Sequence, residues 1–105
     1  MAKLTSIFWR DIPAQVIGQA GRTRVKRELP RRFAEAIDRA AMRAGRGSSD
    51  AYLADWRRES QEAEGDLEQL VAERAAELER RFPEEFLESV VKAGGLIERA
   101  GGAAP

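Results

Sequence analysis

The sequence predicts an α+β fold, in which a small antiparallel sheet of three strands (β-β-β) is followed by three or four helices and the first helix packs on the sheet. Two patterns predict it. Polar and apolar side chains alternate through residues 22–29, which is typical of a strand with one buried face. Apolar side chains then recur at helical spacing through residues 33–44. With 105 residues, the chain is long enough for one hydrophobic core and too short for two.

Three stretches predict the strands. Residues 4–10 contain Ile7, Phe8 and Trp9, whose aromatic and β-branched side chains suit a strand, and Pro13 then interrupts the run. Residues 14–19 form the second strand, and Gly21 supplies the turn because glycine adopts positive φ without strain. The third strand is expected to bury one face, which carries Thr23, Val25 and Leu29. Its solvent-exposed face carries Arg22, Arg24, Lys26 and Glu28. Arg27 is the exception to the alternation, since it is charged but falls on the face expected to be buried.

The helices follow from apolar periodicity and from the residues that interrupt it. The first begins at Pro30 and ends near Gly45. A second carries Tyr52 and Trp56 on one face, residues 67–82 form a third, and Pro83 either bends that helix or starts the last one. We expect one domain over residues 1–93, with the sheet and first helix in 1–45 and a helical part in 46–93. A flexible Gly/Ala-rich tail is expected over 94–105.

The composition excludes several classes of chemistry. The chain has no Cys and no His, which removes thiol nucleophiles, cysteine-based zinc sites and the commonest general base. We therefore expect no enzyme activity, no cofactor and no metal site, and we interpret Glu84, Glu85 and Glu88 as the acidic start of a helix. The sequence shows no signal-peptide pattern and no apolar run of about 20 residues, so a cytoplasmic location without membrane contact is expected.

Charge divides the chain into two halves. Residues 1–58 hold 13 Lys and Arg against 6 Asp and Glu, whereas residues 59–105 hold 5 against 12, although the formal net charge is zero. The densest basic cluster is predicted to bind a polyanion or an acidic partner. It consists of Arg22, Arg24, Lys26, Arg27, Arg31 and Arg32. The alternative interpretation is a solvated surface that pairs with the acidic half of the same chain.

The end of the first strand is a second candidate site. Strand ends beside loops often hold binding residues, and aromatic side chains dominate the energetics of protein interfaces. We therefore assign partner binding to Phe8, Trp9, Arg10, Asp11 and Ile12. The alternative is an Asp-initiated turn in which Arg10 covers the aromatic ring. Tyr52 and Trp56 are interpreted as core anchors rather than as a ligand cage.

Three stretches within the first 58 residues carry a resemblance to a known family. They are residues 7–16 (IFWRDIPAQV), 21–27 (GRTRVKR) and 32–38 (RFAEAID). These stretches resemble a small bacterial family, the virulence factor domain, which also occurs within the conserved virulence factor C proteins. The resemblance implies that stand-alone members are encoded beside genes for folate- and corrinoid-dependent methyl transfer. That neighbourhood in turn implies an accessory subunit of one-carbon metabolism. The acidic helical half lies outside this resemblance.

These patterns and the resemblance predict a non-catalytic accessory module that docks on a larger cytoplasmic protein. A folate- or corrinoid-dependent methyl-transfer enzyme is the partner that the resemblance suggests. The alternative is a nucleic-acid-binding protein that uses the basic hairpin. A third hypothesis is an enzyme that works with Arg10 and Asp11. Homo-oligomerisation through the acidic helices is also left open.

Overall fold

The computed structural model describes residues 1–99, and residues 100–105 lie outside the described part. The described chain forms four strands and four helices, in an order that confirms the predicted α+β class. The strands are β1 (Ala2–Trp9), β2 (Ile12–Ala20), β3 (Thr23–Glu28) and β4 (Trp56–Ala63); the helices are α1 (Arg31–Arg43), α2 (Ser49–Ala54), α3 (Leu67–Arg81) and α4 (Glu84–Lys92), followed by a 3-10 turn at Ile97–Arg99. No helix within residues 1–99 is long and apolar enough to cross a membrane.

The four strands form one antiparallel sheet in the order β3-β2-β1-β4. The hairpin between β2 and β3 turns at Gly21, whose φ of 59° confirms the predicted role of this glycine. At one end of the sheet, Trp9 lies opposite Ile12 of β2 and also opposite Trp56 of β4. The first strand therefore lies between β2 and β4, with Trp9 paired on both sides.

The prediction of three strands is wrong in number, because β4 adds a fourth beside β1. Residues 46–93 were expected to form a helical part without a strand, but α2 ends at Ala54 and the chain then extends from Trp56. Residues 57–62 are all polar and all exposed, so this edge strand lacks the apolar alternation that reveals a half-buried strand. Charged side chains on an edge strand also discourage pairing with other chains.

The helix that covers most of the sheet is α3, whereas α1, predicted for that place, contacts the sheet mainly at β2 and also packs against α4. Gly18 of β2 lies directly beneath α3, so close that a Cβ there would be 2.5 Å from Val71 Cγ2. Arg74 of α3 donates from Nε to Ser6 Oγ at 3.2 Å. Side chains alternate along each strand, so this helix covers the face to which Ser6 and Gly18 belong.

Proline and glycine separate the last helices. Gly65 adopts a φ of 136°, and the Asp66 side chain then caps α3 by accepting from the Gln69 backbone N–H at 3.0 Å. The third helix ends at Arg81, and Pro83 stands at the start of α4, so this proline begins a new helix rather than bending the old one.

The chain after α4 packs against the end of β1, although residues 94–105 were predicted to form a tail. Gly94 and Gly95 are buried, and a Cβ on Gly95 would lie 2.9 Å from Trp9 Cζ3. The backbone N–H of Asp11 donates to the Gly95 carbonyl at 2.9 Å. The domain boundary predicted after residue 93 thus falls within a packed segment. The remainder of the predicted tail, residues 100–105, lies outside the described residues.

Candidate interaction surface

The face of the sheet opposite α3, which we name the open face, carries alternate side chains from all four strands. Pairing register and strand alternation assign its members. They are Lys3, Thr5 and Ile7 of β1; Gln15, Ile17 and Gln19 of β2; Arg24, Lys26 and Glu28 of β3; and Arg58, Ser60 and Glu62 of β4. The four strands thus present one continuous surface on this side.

The centre of the open face is uncharged and its margins are charged. The middle strands contribute Ile7 and Thr5, which are only 8% and 9% exposed, and Ile17, which is half-buried and offers most of the apolar surface. The Thr5 hydroxyl hydrogen bonds to Ser60 Oγ at 3.0 Å. The outer strand β3 contributes Arg24 and Lys26, both exposed. A neutral centre within a charged margin is the usual composition of a protein-binding surface.

The predicted basic cluster is divided by the fold among several surfaces. Arg24 and Lys26 lie on the open face, and Arg22 is exposed in the adjoining turn. Lys26 lies 3.7 Å from Glu28. Arg27 projects to the opposite side of the same strand, where it borders α3. The six cations therefore do not act as one patch, and the open face has three of them at or beside it.

The two remaining members of the cluster open α1 and interact within the chain. Arg31 pairs with Glu35 one turn later at 3.2 Å. The guanidinium of Arg32 lies 4.7 Å from the centre of the Phe33 ring and donates from Nη2 to the Phe82 carbonyl at 3.4 Å. Both cations are thus engaged within the chain, but Arg31 pairs with an acid of the basic half and Arg32 contacts a ring and a carbonyl, so neither contact is the predicted pairing with the acidic half.

The predicted site at the end of β1 needs correction, because its apolar residues belong to the core. Trp9 and Ile12 are 0% exposed and Phe8 is 6% exposed, so the tryptophan and the isoleucine offer no surface to a partner. The indole of Trp9 donates from Nε1 to the Tyr52 carbonyl at 2.9 Å, and its ring stacks on that of Tyr52. This burial follows from Tyr52 of α2, whose ring stacks on that of Trp9, and from the segment after α4, where Gly95 lies against the same indole.

Arg10 and Asp11 form a clasp between the β1–β2 turn and the end of the chain. Arg10 adopts a φ of 53° and donates from Nη1 to the Gly94 carbonyl at 3.0 Å. Its Nε pairs with Asp55 at 3.2 Å. The Asp11 carboxylate accepts from the Ile97 backbone N–H at 2.8 Å. Both side chains are engaged within the chain, which supports the turn interpretation of this pair.

A groove of about 470 Å³, which we name the aromatic groove, adjoins the open face at the end where β4 begins. Tyr52 and Trp56 form one wall, with ring centroids 5.7 Å apart and planes at 87°. Both residues are half-buried, so they anchor the core on one side, as predicted, and remain accessible on the other. Burial raises the pKa of the Tyr52 hydroxyl, and the charge of Asp38 adds to the effect. Sequence reasoning missed this groove because α1, α2 and the sheet build it jointly.

The family model for the virulence factor family matches residues 7–91. The chain belongs to the virulence factor family. The match reaches almost to the end of α4, so the acidic helical half, which lay outside the resemblance, is part of the family domain. No curated protein and no solved structure matches the chain. The fold and the candidate surfaces of the virulence factor domain are therefore described from this structure alone.

Within the virulence factor domain, Glu88 of α4 links that helix to α1. Its carboxylate accepts two hydrogen bonds from Arg39 of α1, at 2.7 and 3.1 Å. This contact lowers the pKa of Glu88 and raises the pKa of Arg39. Among residues 1–99, no group of three or more His, Cys, Asp or Glu side chains is placed to hold a metal ion.

The Arg39–Glu88 pair predicts a specific dependence of stability on acid. Because the folded state lowers the pKa of Glu88, its stabilising contribution is present above the unfolded pKa and is lost as pH falls through the folded pKa. Arg39 stays charged throughout this range, since its pKa is raised. Glu88→Gln should therefore lower the urea midpoint at pH 7. The difference in urea midpoint between the variant and the wild type should become smaller by pH 3. The control is Glu85→Gln, an exposed α4 substitution; equal pH profiles for the two variants would contradict the prediction.

Proposed function

We propose that this virulence factor domain is a non-catalytic interaction module that docks through its open face on an acidic surface of a larger protein. One observation carries the proposal: helix α3 covers one face of the sheet, while the opposite face presents a neutral centre beside a basic outer strand. Complementary charge would steer the encounter, and the neutral centre would exclude water once the surfaces meet.

The composition of the open face favours a protein over a nucleic acid. Sheets that bind single-stranded RNA stack bases on aromatic side chains of their middle strands. Here the corresponding positions hold Thr5, Ile7, Gln15 and Ile17, none of which is aromatic. Arg22, Arg24 and Lys26 favour the nucleic-acid alternative, since they could contact phosphates. They can equally contact carboxylates, so the non-aromatic centre of the face is the feature that favours a protein partner.

The partner that we propose is the one the family resemblance suggests, a cytoplasmic enzyme of folate- or corrinoid-dependent methyl transfer. In that assembly the virulence factor domain would act as an accessory subunit and contribute no catalytic group. The engaged state of Arg10 and Asp11 supports a structural rather than a chemical role for these residues.

Charge reversal on the open face tests the proposal. The double variant Arg24→Glu/Lys26→Glu should slow association with the purified partner by about tenfold or more at low salt, because steering is lost, while dissociation changes less. The matched control is Arg27→Glu/Arg80→Glu, which makes the same change in net charge away from the open face. Stopped-flow association at two salt concentrations would measure both variants.

The partner for this measurement comes from a pull-down in the native host, followed by purification and a stoichiometry determination. Equal slowing by the test and control variants would show that net charge, rather than the open face, governs binding. Tight binding of mixed RNA that only Arg24→Glu/Lys26→Glu abolishes, with no stoichiometric protein partner, would establish the nucleic-acid alternative instead.

A further inference from the structure

We propose that the aromatic groove binds a small organic cation, with an alkylammonium head against Tyr52 and Trp56 and an apolar body along the groove floor. This proposal goes beyond the docking function and does not depend on it. The groove volume of about 470 Å³ falls within the range of small-molecule sites. Its aromatic wall and its charges determine which class of molecule it would bind.

The aromatic wall is held in place by its own ring contacts. The rings of Tyr52 and Trp56 pack edge to face, with centroids 5.7 Å apart, so together they form one continuous aromatic wall of the groove. Trp9 stacks behind Tyr52 with a centroid separation of 6.0 Å and is itself fully buried. The wall therefore needs little ordering when a ligand arrives. Cations bind the faces of such rings, and tryptophan is the strongest of the aromatic side chains in this role.

The charged groups that line the groove favour a cation. Glu28 and Asp38 contribute carboxylates, and Arg31 is the one cationic side chain of the lining. Arg31 is 90% exposed and pairs with Glu35. Within residues 1–99, Asp38 has no ion-pair partner within 4.0 Å. Glu28 pairs with Lys26 at 3.7 Å, a long distance for an ion pair. Two carboxylates and one guanidinium therefore line the groove, and a bound cation would balance the excess of carboxylate.

The floor of the groove provides room for the rest of the ligand. Ala14 and Ala34 are small, and the side chains of Leu29 and Ile37 are buried parts of the core that close the bottom. A trimethylammonium head fills only part of the groove, so an aliphatic chain of several carbons fits along these residues. The lining thus combines an apolar floor with a few convergent polar groups, as ligand sites do.

A second cavity, of about 400 Å³, lies on the other side of the sheet and lacks these features. Its lining includes Phe8 and Phe86, but the guanidinium of Arg57 already covers the Phe8 ring at 4.4 Å. The same guanidinium pairs with Asp11 and Glu59. The Phe8 ring therefore already has a cation of the chain beside it, whereas in the described part of the chain Asp38 of the aromatic groove has no ion-pair partner.

The test compares a cation with its neutral isostere. Choline and 3,3-dimethyl-1-butanol share one shape and differ in the charge of the head group. Titration of the protein with each, followed by tryptophan fluorescence and by NMR shifts of groove residues, should show saturable millimolar binding of choline. Binding of the alcohol should be about fivefold weaker or more, because the cation–π and carboxylate contributions are absent. The fluorescence change should come from Trp56, since Trp9 is fully buried.

Two variants connect the binding to the assigned residues. Asp38→Asn is an exposed substitution that should keep the fold and weaken choline several-fold, while leaving the alcohol unchanged. Glu85→Gln, on the distant start of α4, is the matched control and should change neither. Absence of saturable choline binding to the wild type would overturn the proposal. Equal binding of choline and the alcohol, or equal effects of Asp38→Asn and Glu85→Gln, would overturn it as well.

Discussion

Trp9→Ala is expected to lower the free energy of unfolding by about 3–5 kcal/mol, the cost of removing a large aromatic side chain from a core. Trp9 is 0% exposed, stacks on Tyr52 and donates its indole N–H to the Tyr52 carbonyl at 2.9 Å. The cavity left by alanine would also remove the surface against which Gly95 packs. Any loss of partner binding by this variant should therefore come from unfolding rather than from loss of an interface contact. Urea denaturation at constant pH would measure the effect.

Two companion variants make this result specific. Trp9→Phe keeps much of the packing but leaves the Tyr52 carbonyl without its donor, so it should cost about 1–3 kcal/mol. Leu53→Ala removes a side chain that is 64% exposed and should cost less than about 0.5 kcal/mol. A Trp9→Ala protein as stable as Leu53→Ala would mean that the tryptophan faces solvent. That outcome would restore the end of β1 as a binding site.

The parts of the fold that the sequence predicts are those with a buried and an exposed side. In β3 the prediction holds only in part: Val25 is half-buried and Leu29, just after the strand, is buried, but Thr23, also assigned to the buried face, is exposed. Phe33 and Ile37 of α1 are buried and recur at helical spacing, so this element reveals its period fully. By contrast, β4 is polar along residues 57–62, because an edge strand in this position buries neither side. Its pairing with β1 depends on the neighbouring strand and not on a pattern of its own.

The candidate sites were predictable only in part, because contacts between distant residues decide their exposure. The aromatic end of β1 has the residue types of an interface. Yet Arg10 is bound by Gly94 and Asp11 by Ile97, at separations of 84 and 86 positions along the chain. No local pattern predicts that closure. The basic cluster was found from charge alone, but strand alternation then places Arg24 and Arg27 on opposite faces of the sheet. The sequence thus identified the cations, and the fold selected those that share a surface.

Gly18 is the position at which the sheet comes closest to α3, and Gly18→Val should be about as damaging as the loss of Trp9. A Cβ at this position would lie 2.5 Å from Val71 Cγ2 and 2.8 Å from Leu67 Cδ1. The Leu67 side chain can move, since it is long and half-buried, but Val71 is fully buried and β-branched, so α3 would have to shift away from β2.

We expect Gly18→Val to cost about 3 kcal/mol or more and Gly18→Ala to cost about 1–3 kcal/mol, both measured by urea denaturation. Gly47→Ala is the control, because a Cβ there meets nothing within 4 Å. Combining Gly18→Ala with Val71→Ala removes the methyl group that obstructs the new one. The double variant should therefore be more stable than the sum of the two single changes predicts, by about 1 kcal/mol or more. Strict additivity would show that α3 does not press on Gly18, and that the helix is free to lie farther from the sheet.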